Sequence, residues 1–313
     1  MKPSISVVIP VYRGAPTLEL LVKELIPVLT RLCSKYEVIL VNDDSPDDSW
    51  RIINSLSKEN SFVKGIRLMR NYGQHNATLC GVRAAQYPLC ITLDDDLQHP
   101  PGEIYKLLGK MDEGYDVVYG TPIKQPQGFL RNLITSWTKR TLAYVMGIPN
   151  LRNISAYRCF RTDLRKASEQ YQSPNVTLDV LLSWATTRFA SIPVGILPPP
   201  EHRSNYNYRS LIRYTLLVLT GYSTAPLRFA SIMGFMMTLV GIGVFIYVIS
   251  IFMFAGSIPG FPFLVSIIAI FGGTQLFALG IFGEYLARIF TRSMDKPTYV
   301  ISDQTGNGKN KRG

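Results

Sequence analysis

From Phe229 to Gly283 the chain carries no Asp, Glu, Lys, Arg or His. A membrane span takes about 20 mostly apolar residues. Phe229 to Phe254 supplies one such run and Phe263 to Gly283 a second, joined by the turn-rich Ala255 to Phe261. Two spans joined this way form a hairpin. Two buried core helices of a soluble protein would need a large domain around them, and too little of the 313-residue chain is left for one. Arg209, Arg213 and Arg228 precede the hairpin, Arg288, Arg292 and Lys296 follow it, and the connecting loop has no basic residue. Positive residues stay cytoplasmic. Both termini are therefore expected in the cytoplasm, with the chain a multi-pass protein of the cytoplasmic (inner) membrane. Met1 to Ser4 leads straight into a strand-like run, so no signal peptide is expected.

Charged residues make up 18% of the chain, below the soluble norm of about 25%. The formal net charge of +11 suits nucleic acid, an anionic membrane surface or a phosphorylated substrate. The basic residues cluster beside the spans and no nucleic-acid motif appears, so nucleic acid is not an expected partner. Cys33, Cys80, Cys90 and Cys159 lack metal-ligand spacing and sit in apolar surroundings. They read as buried free thiols in a reducing compartment.

The N-terminal part alternates strand and helix patterns. Ile5 to Val11 reads as a strand, and Leu18, Leu21, Val22, Leu25 and Leu29 mark a helix face. Glu37 to Val41 is a second strand, followed by a helix near Ser49 to Lys58, a strand near Phe62 to Leu68 and a helix near Ala77 to Ala85. Leu89 to Leu93 is a fourth strand. Tyr115 to Tyr119 and Arg188 to Val194 are further strand candidates, and Leu130 to Val145 a helix. Alternating β and α with apolar strands argues for a parallel sheet covered by helices on both faces. Ligands of such sheets bind beyond the carboxyl ends of the strands. Pro198-Pro199-Pro200 is a stiff connector, and Arg209 to Leu219 reads as an amphipathic segment, either in the membrane interface or as a plain juxtamembrane helix. The expected organisation is a cytoplasmic domain over 1–200, a juxtamembrane segment over 201–228, two membrane helices over 229–290 and a tail over 291–313, disordered from Asn307.

Asp94, Asp95 and Asp96 stand at the end of the fourth strand. Side chains alternate along a strand, so Asp94 and Asp96 share one side and Asp95 takes the other. If the extended backbone persists through Gln98, a third oxygen ligand joins Asp94 and Asp96. Such a set suits Mg²⁺ or Mn²⁺ with positions left for phosphate oxygens. The alternative is a helix start, with Asp96 capping the segment after Pro100-Pro101. Asp43-Asp44 ends a neighbouring strand. A carboxylate there can accept from uracil N–H or ribose hydroxyls, or Asn42 to Asp48 is an Asx turn opening the next helix. Glu284 ends the second span, where a carboxylate needs a partner. Arg288, one turn on, or Arg228 would pair with it.

Val7-Val8-Ile9-Pro10-Val11-Tyr12, Val41-Asn42-Asp43-Asp44-Ser45, Arg70-Asn71-Tyr72-Gly73-Gln74-His75 and Asp94-Asp95-Asp96-Leu97-Gln98 resemble the ordered motifs of family 2 glycosyltransferases. Ser204-Asn205-Tyr206, Ala225-Pro226-Leu227-Arg228 and Gly280-Ile281-Phe282-Gly283-Glu284-Tyr285 extend the likeness to the polyprenyl-phosphate branch, similar to dolichol-phosphate mannose synthase and undecaprenyl-phosphate sugar transferases. The resemblance implies a Rossmann-like GT-A fold, an interfacial helix and a two-helix membrane hairpin. It implies an inverting transfer from a nucleotide-sugar, often a UDP-sugar, to a polyprenyl phosphate, giving a lipid-linked sugar for envelope glycans such as lipopolysaccharide. By position, nucleotide contacts fall on Pro10, Tyr12, Asp43, Asp44, Asn71, Asp94 and Asp95. The metal falls on Asp94, Asp96 and Gln98. Catalytic roles fall on Asp96 and on Arg131, Arg158 and, more loosely, Arg203, which would bind phosphate.

The chain departs from the pattern in three places. Asp44 stands where members often carry Gly, Ala156 where many carry Asp, and His202-Arg203-Ser204-Asn205-Tyr206 replaces a Gly-x-Ser-Lys-Tyr run. The second departure removes a candidate base. An alcohol acceptor needs one, whereas a phosphate with a second pKa near 6 is already a dianion at neutral pH. A processive polysaccharide synthase would need more spans and a Gln-x-x-Arg-Trp signature, and the chain has neither. A non-catalytic membrane subunit that binds nucleotide-sugar and recruits a flippase or polymerase is the alternative reading. Neither donor sugar nor oligomeric state is written in the sequence, and a homo-oligomer stays open.

Overall fold

β1 (Ser4–Val11) runs SISVVIPV, and its last seven residues are all buried. A strand apolar on both faces must be covered on both faces. In the computed structural model, which describes residues 2–122, 147, 154–169, 171, 177–195, 197, 223–255 and 260–305, helices supply that cover. Ile5, Val7, Ile9 and Val11 pack into one core with α1 (Leu18–Leu32), α2 (Ser49–Glu59) and α4 (Ile104–Asp112). On the other face α3 (Gln74–Ala84) lies close enough that a Cβ added at Gly81 would meet Val8 Cγ1 at 2.3 Å. Leu18, Leu21, Val22, Leu25 and Leu29 are the five buried residues of α1, the face its spacing predicts. Each such side chain contributes about 1.5–3 kcal/mol over leaving it in water.

The sheet has eight strands in the order β7-β5-β6-β4-β1-β2-β3-β8. β2 (Lys35–Asn42), β3 (Val63–Leu68) and β4 (Leu89–Thr92) join β1 in a parallel array. β5 (Val117–Pro122) and β7 (Phe189–Val194) pair in parallel with each other. Two strands are antiparallel to their neighbours: β6 (Arg158–Arg161), between β4 and β5, and β8 (Ile301–Gln304), on the far edge beside β3. The sheet is thus mostly parallel but mixed, as expected of a Rossmann-like GT-A fold. β6, β8, α4 and the short helix α5 (Leu178–Ser183) are absent from the sequence reading. Asp116 fastens β5, β6 and β7 at one end, accepting from Arg161 Nε at 3.0 Å and from Arg188 Nε and Nη2, both at 2.9 Å. All four cysteines are free and buried, and burial pushes Cys33 up to about 11 and Cys80 up to about 12.

The chain divides into two compact units, one of residues 1–212 with 295–313 and one of 213–294. Of the expected tail, the described residues from Asp295 to Thr305 belong to the first unit, where β8 pairs with β3. In the second unit α6 (Ala225–Ala255) and α7 (Phe261–Ser293) are both long and apolar enough to cross a membrane. At 31 and 33 residues they are longer than the uncharged runs and longer than a hydrocarbon core about 30 Å thick requires. Large apolar side chains on them lie open, including Phe245, Met253 and Leu276, a surface that needs lipid rather than water. Glu284 pairs with Arg288 at 2.7 Å, as one-turn spacing predicts, and Tyr285 donates to the Ser223 carbonyl at 2.5 Å. The expected helix Leu130 to Val145, the proline connector, the Arg209 to Leu219 segment and the tail from Asn307 lie outside the described residues.

Candidate active site

Four strand ends meet at one edge of the first unit. β4 ends at Thr92, and Leu93 N still donates to Val8 O on β1 at 3.3 Å. Past that point the ladder stops and three aspartates emerge. Asp95 turns toward β1, accepting from Tyr12 N at 3.3 Å. Asp94 accepts from Gln74 Nε2, in the first turn of α3, at 2.6 Å. The alternation of sides predicted for Asp94 and Asp95 agrees with these partners.

The extended backbone predicted through Gln98 does not persist. Leu97 has φ +58°, a left-handed conformation that a branched side chain rarely adopts. Its side chain packs against the core, which holds the turn in place. The reversal brings Gln98 back onto Asp96: Gln98 N donates to Oδ1 at 3.0 Å and Nε2 to Oδ2 at 2.7 Å. Gln98 therefore holds Asp96 through its backbone and side-chain N–H groups. Among the described residues no group of three His, Cys, Asp or Glu side chains converges on one point. What remains is a carboxylate pair, Asp94 and Asp96.

That pair fits a divalent cation that keeps positions for other oxygens. Burial, and then the like charge of Asp96, push the Asp94 carboxyl up to about 6. Burial pushes Asp95 up to about 7 against the opposing hydrogen bond from Tyr12 N. Crowded carboxylates held near one another are costly unless a cation neutralises them. The sign of the pH dependence follows. A folded-state pKa above the ordinary carboxylate value means that the apo protein loses stability as pH rises from about 4 toward 7. A dication competes with those protons, so Mn²⁺ is expected to bind roughly tenfold more weakly at pH 5 than at pH 7, measured by titrating the free Mn²⁺ signal.

Asp43 lies at the end of β2 and is 2% exposed. Its two oxygens accept from Tyr72 N at 2.7 Å and Gly73 N at 2.8 Å. Burial, the largest influence, raises its pKa, opposed by these two bonds. Asp43 thus holds the loop between β3 and α3, and both oxygens are already engaged there. The Asx turn weighed beside a nucleotide role is also present: Ser45 N donates to Asn42 Oδ1 at 2.7 Å. Asn71 is exposed on the loop and accepts from Gly73 N at 3.1 Å. Gly73 has φ +89° and ψ 153°, a region essentially closed to side chains. Gly73→Ala is expected to cost about 1–3 kcal/mol, read as a lowered thermal midpoint.

Asp44 has φ +50°. A left-handed backbone there explains why glycine recurs at this position in the family pattern, and Asp is among the few side chains that tolerate it. Its carboxylate pairs with Arg67 at 3.3 Å. Pro10 is buried inside β1, so its ring shapes the strand end and offers no open face. Tyr12, just beyond, is 45% exposed, with the Arg13 guanidinium 5.5 Å from its ring centre.

Arg158 is not on the open surface. It is 4% exposed, on β6 opposite Thr92, and Nε donates to Thr92 Oγ1 at 3.0 Å. Its guanidinium forms a buried ion pair with Asp179 on α5, and Tyr119 O–H donates to the same Asp179 oxygen at 2.8 Å. Nε and one terminal nitrogen of the guanidinium are so engaged. Its charge favours ionised Asp94. Asp179 and Tyr119 were not predicted, because nothing in TLDVLL or VVYG marks them until β6 brings Arg158 between them. Arg131 and Arg203 lie outside the described residues. Ala156, where a base would stand, offers only a carbonyl, which accepts from Thr92 Oγ1 at 2.6 Å.

Residues 6–169 match the family model for glycosyl transferase family 2. The chain is 33% identical over 304 residues to the undecaprenyl-phosphate 4-deoxy-4-formamido-L-arabinose transferase of Shewanella sediminis, covering 96% of this chain and 92% of that one. It is 33% identical over 314 residues to the protein of the same name from Proteus mirabilis, covering 96% and 94%. Among solved structures, glucosyl-3-phosphoglycerate synthase from Mycobacterium tuberculosis in complex with Mn²⁺, UDP and glucosyl-3-phosphoglycerate superimposes with a TM-score of 0.53 at 16% identity, over 70% of this chain and 80% of that one. The sheet is thus of GT-A type. By profile, by near full-length similarity and by fold, the chain belongs to glycosyltransferase family 2, in its polyprenyl-phosphate branch.

Proposed function

We propose that the protein transfers a sugar from a nucleotide-sugar, of UDP type, to a polyprenyl phosphate at the cytoplasmic face of the inner membrane, giving a lipid-linked sugar for envelope glycans. The observation that carries this is the carboxylate pair Asp94 and Asp96, held by Gln74 and Gln98 beside the Asp43-anchored loop. The relatives' names supply the acceptor class: undecaprenyl phosphate. Their sugar is not carried over at 33% identity.

Asp94 and Asp96 would hold Mg²⁺ or Mn²⁺, which when bound neutralises charge on a leaving diphosphate. The protein's own residues do the rest. Asp94 and Asp96 are each aimed by an amide partner, Gln74 and Gln98. Tyr12 and the exposed Asn71 are open to the nucleoside. No protein base is required, because a phosphate acceptor is already a dianion at neutral pH. The acceptor phosphate attacks the anomeric carbon, the bond to the nucleoside diphosphate breaks, and the configuration inverts. Most of the rate then comes from positioning and preorganised charge.

The topology proposed from basic residues gains a second support. Residues 2–122 and β8 lie in one sheet, although α6 and α7 separate them in sequence. Segments sharing a sheet must lie on one side of a membrane, which requires an even number of crossings between them.

The test is a transfer assay with purified protein, polyprenyl phosphate, Mg²⁺ or Mn²⁺ and a panel of labelled nucleotide-sugars. A lipid-linked product from one donor supports the reading. No product from any donor, with UDP still bound, would favour the nucleotide-sugar-binding subunit.

A further inference from the structure

We infer that the segment following the second apolar helix, Thr298 to Thr305, is a positioning element of the donor site. It splints β3 and so fixes the loop Met69 to Gly73. The inference rests on the proposed reading of that loop as donor-binding.

The segment grips the elements on both sides of the loop. β8 pairs antiparallel with β3, Ile66 opposite Gln304, Arg67 opposite Asp303 and Leu68 opposite Ile301, with the register shifting between Arg67 and Leu68. The pairing continues one residue beyond the strand, into the loop itself, where Met69 N donates to Val300 O at 2.9 Å. At the other end Thr305 clamps Gly65. Gly65 N donates to Thr305 Oγ1 at 2.7 Å and Thr305 N donates to Gly65 O at 2.9 Å. A Cβ at Gly65 would meet Ile53 Cγ2 at 2.4 Å and Thr305 Cγ2 at 2.9 Å, so the absence of a side chain admits the segment. After the loop comes α3. Arg83 on α3 donates to Thr298 Oγ1 at 3.4 Å and lies 5.7 Å from the centre of the Tyr299 ring, and the Tyr299 hydroxyl bonds the Cys80 thiol.

The composition of β8 indicates what this grip supplies. All four of its residues are exposed, so it adds little to the apolar core. Its contribution is backbone pairing along β3, which would otherwise be a bare sheet edge. Few buried contacts and many edge hydrogen bonds describe an element that opens locally, without global unfolding. When it opens, β3, Met69 and the second half of α3, around Cys80 and Arg83, lose their outer support together. The loop carrying the Tyr72 and Gly73 amides, which Asp43 holds, then moves more freely. Because the splint follows α7 directly in the chain, the loop is tied by sequence to the membrane-spanning segment.

The experiment uses the full-length protein with Thr298→Val and Thr305→Val together. These nearly isosteric changes remove the bonds to Arg83 and Gly65 N. A second variant ends at Pro297. Amide hydrogen exchange at Met69, Tyr72 and Gly73 is expected to rise about tenfold in the shortened chain and several-fold in the double variant, with β5 and β7 unchanged. The Kd for UDP with Mn²⁺ is expected to rise about fivefold, with the KM for polyprenyl phosphate unmoved. Unchanged exchange at those three amides in the double variant overturns the inference. So does equal loss of protection across β5 and β7, which would make the segment a general stabiliser. If the shortened chain does not fold, the double variant decides by the same readings. Failure of the unaltered protein to bind UDP counts against the donor reading, and the exchange data then decide the splint independently.

Discussion

Asp96→Asn is expected to lower the rate of sugar transfer by about 10²–10³-fold, the usual effect of deleting one preorganised charge-stabilising group. The same change is expected to make the metal-free protein slightly more stable. Asp96 is the second-largest influence raising Asp94, after burial. Removing its charge relieves a like-charge contact inside a partly desolvated site. A gain of about 1 kcal/mol corresponds to a rise of about 2–4 °C in thermal midpoint. Asn keeps an oxygen that can still accept from the Gln98 side, so the turn through Leu97 has no reason to change. Activity and stability moving in opposite directions is the signature of a site strained for function. Transfer within about threefold of the unaltered enzyme would show that Asp96 does not handle charge in the reaction.

Asp179→Ala is expected to have the largest effect on stability. It leaves the Arg158 guanidinium, 4% exposed, without its carboxylate. Removing one partner of a buried pair costs about 3–5 kcal/mol, because the remaining charge is stranded. The thermal midpoint in detergent is expected to fall by roughly 10 °C. Tyr119 would also lose its acceptor at 2.8 Å. The double change Arg158→Met with Asp179→Leu removes both charges and is expected to recover much of the loss. It would not recover activity, since the positive charge that favours ionised Asp94 is then gone. If Asp179→Ala leaves the midpoint within about 2 °C, the pair is not the buried anchor described here.

Much of the site was legible because its signals are local. An apolar run ending in three aspartates marks β4 and its carboxyl end, and five apolar residues at helical spacing mark α1. The uncharged stretch marks two apolar helices. What escaped depends on contacts distant in sequence. β6 is four residues with Arg at both ends, RCFR, and reads as polar until β4 and β5 flank it. β8 is ISDQ, with no apolar face and no reason to be a strand except the open edge of β3. The burial of Arg158 escaped for the same reason. A charged residue looks like a surface ligand until its partner, Asp179, is brought beside it. The extended backbone expected through Gln98 failed locally, because no pattern rule puts a leucine at φ +58°. Asp43 was expected to meet the nucleotide, and in the structure both of its oxygens turn to the loop amides.

The central claim is that Asp94 and Asp96 together hold a cation on a nucleoside diphosphate. A crystal of the full-length protein soaked with Mn²⁺ and UDP tests it directly through the anomalous signal of manganese. The account predicts a peak about 2.0–2.3 Å from an oxygen of each carboxylate, shared with the diphosphate. Diphosphate density at the strand ends, with manganese elsewhere and both carboxylates still held by Gln74 and Gln98, would contradict it.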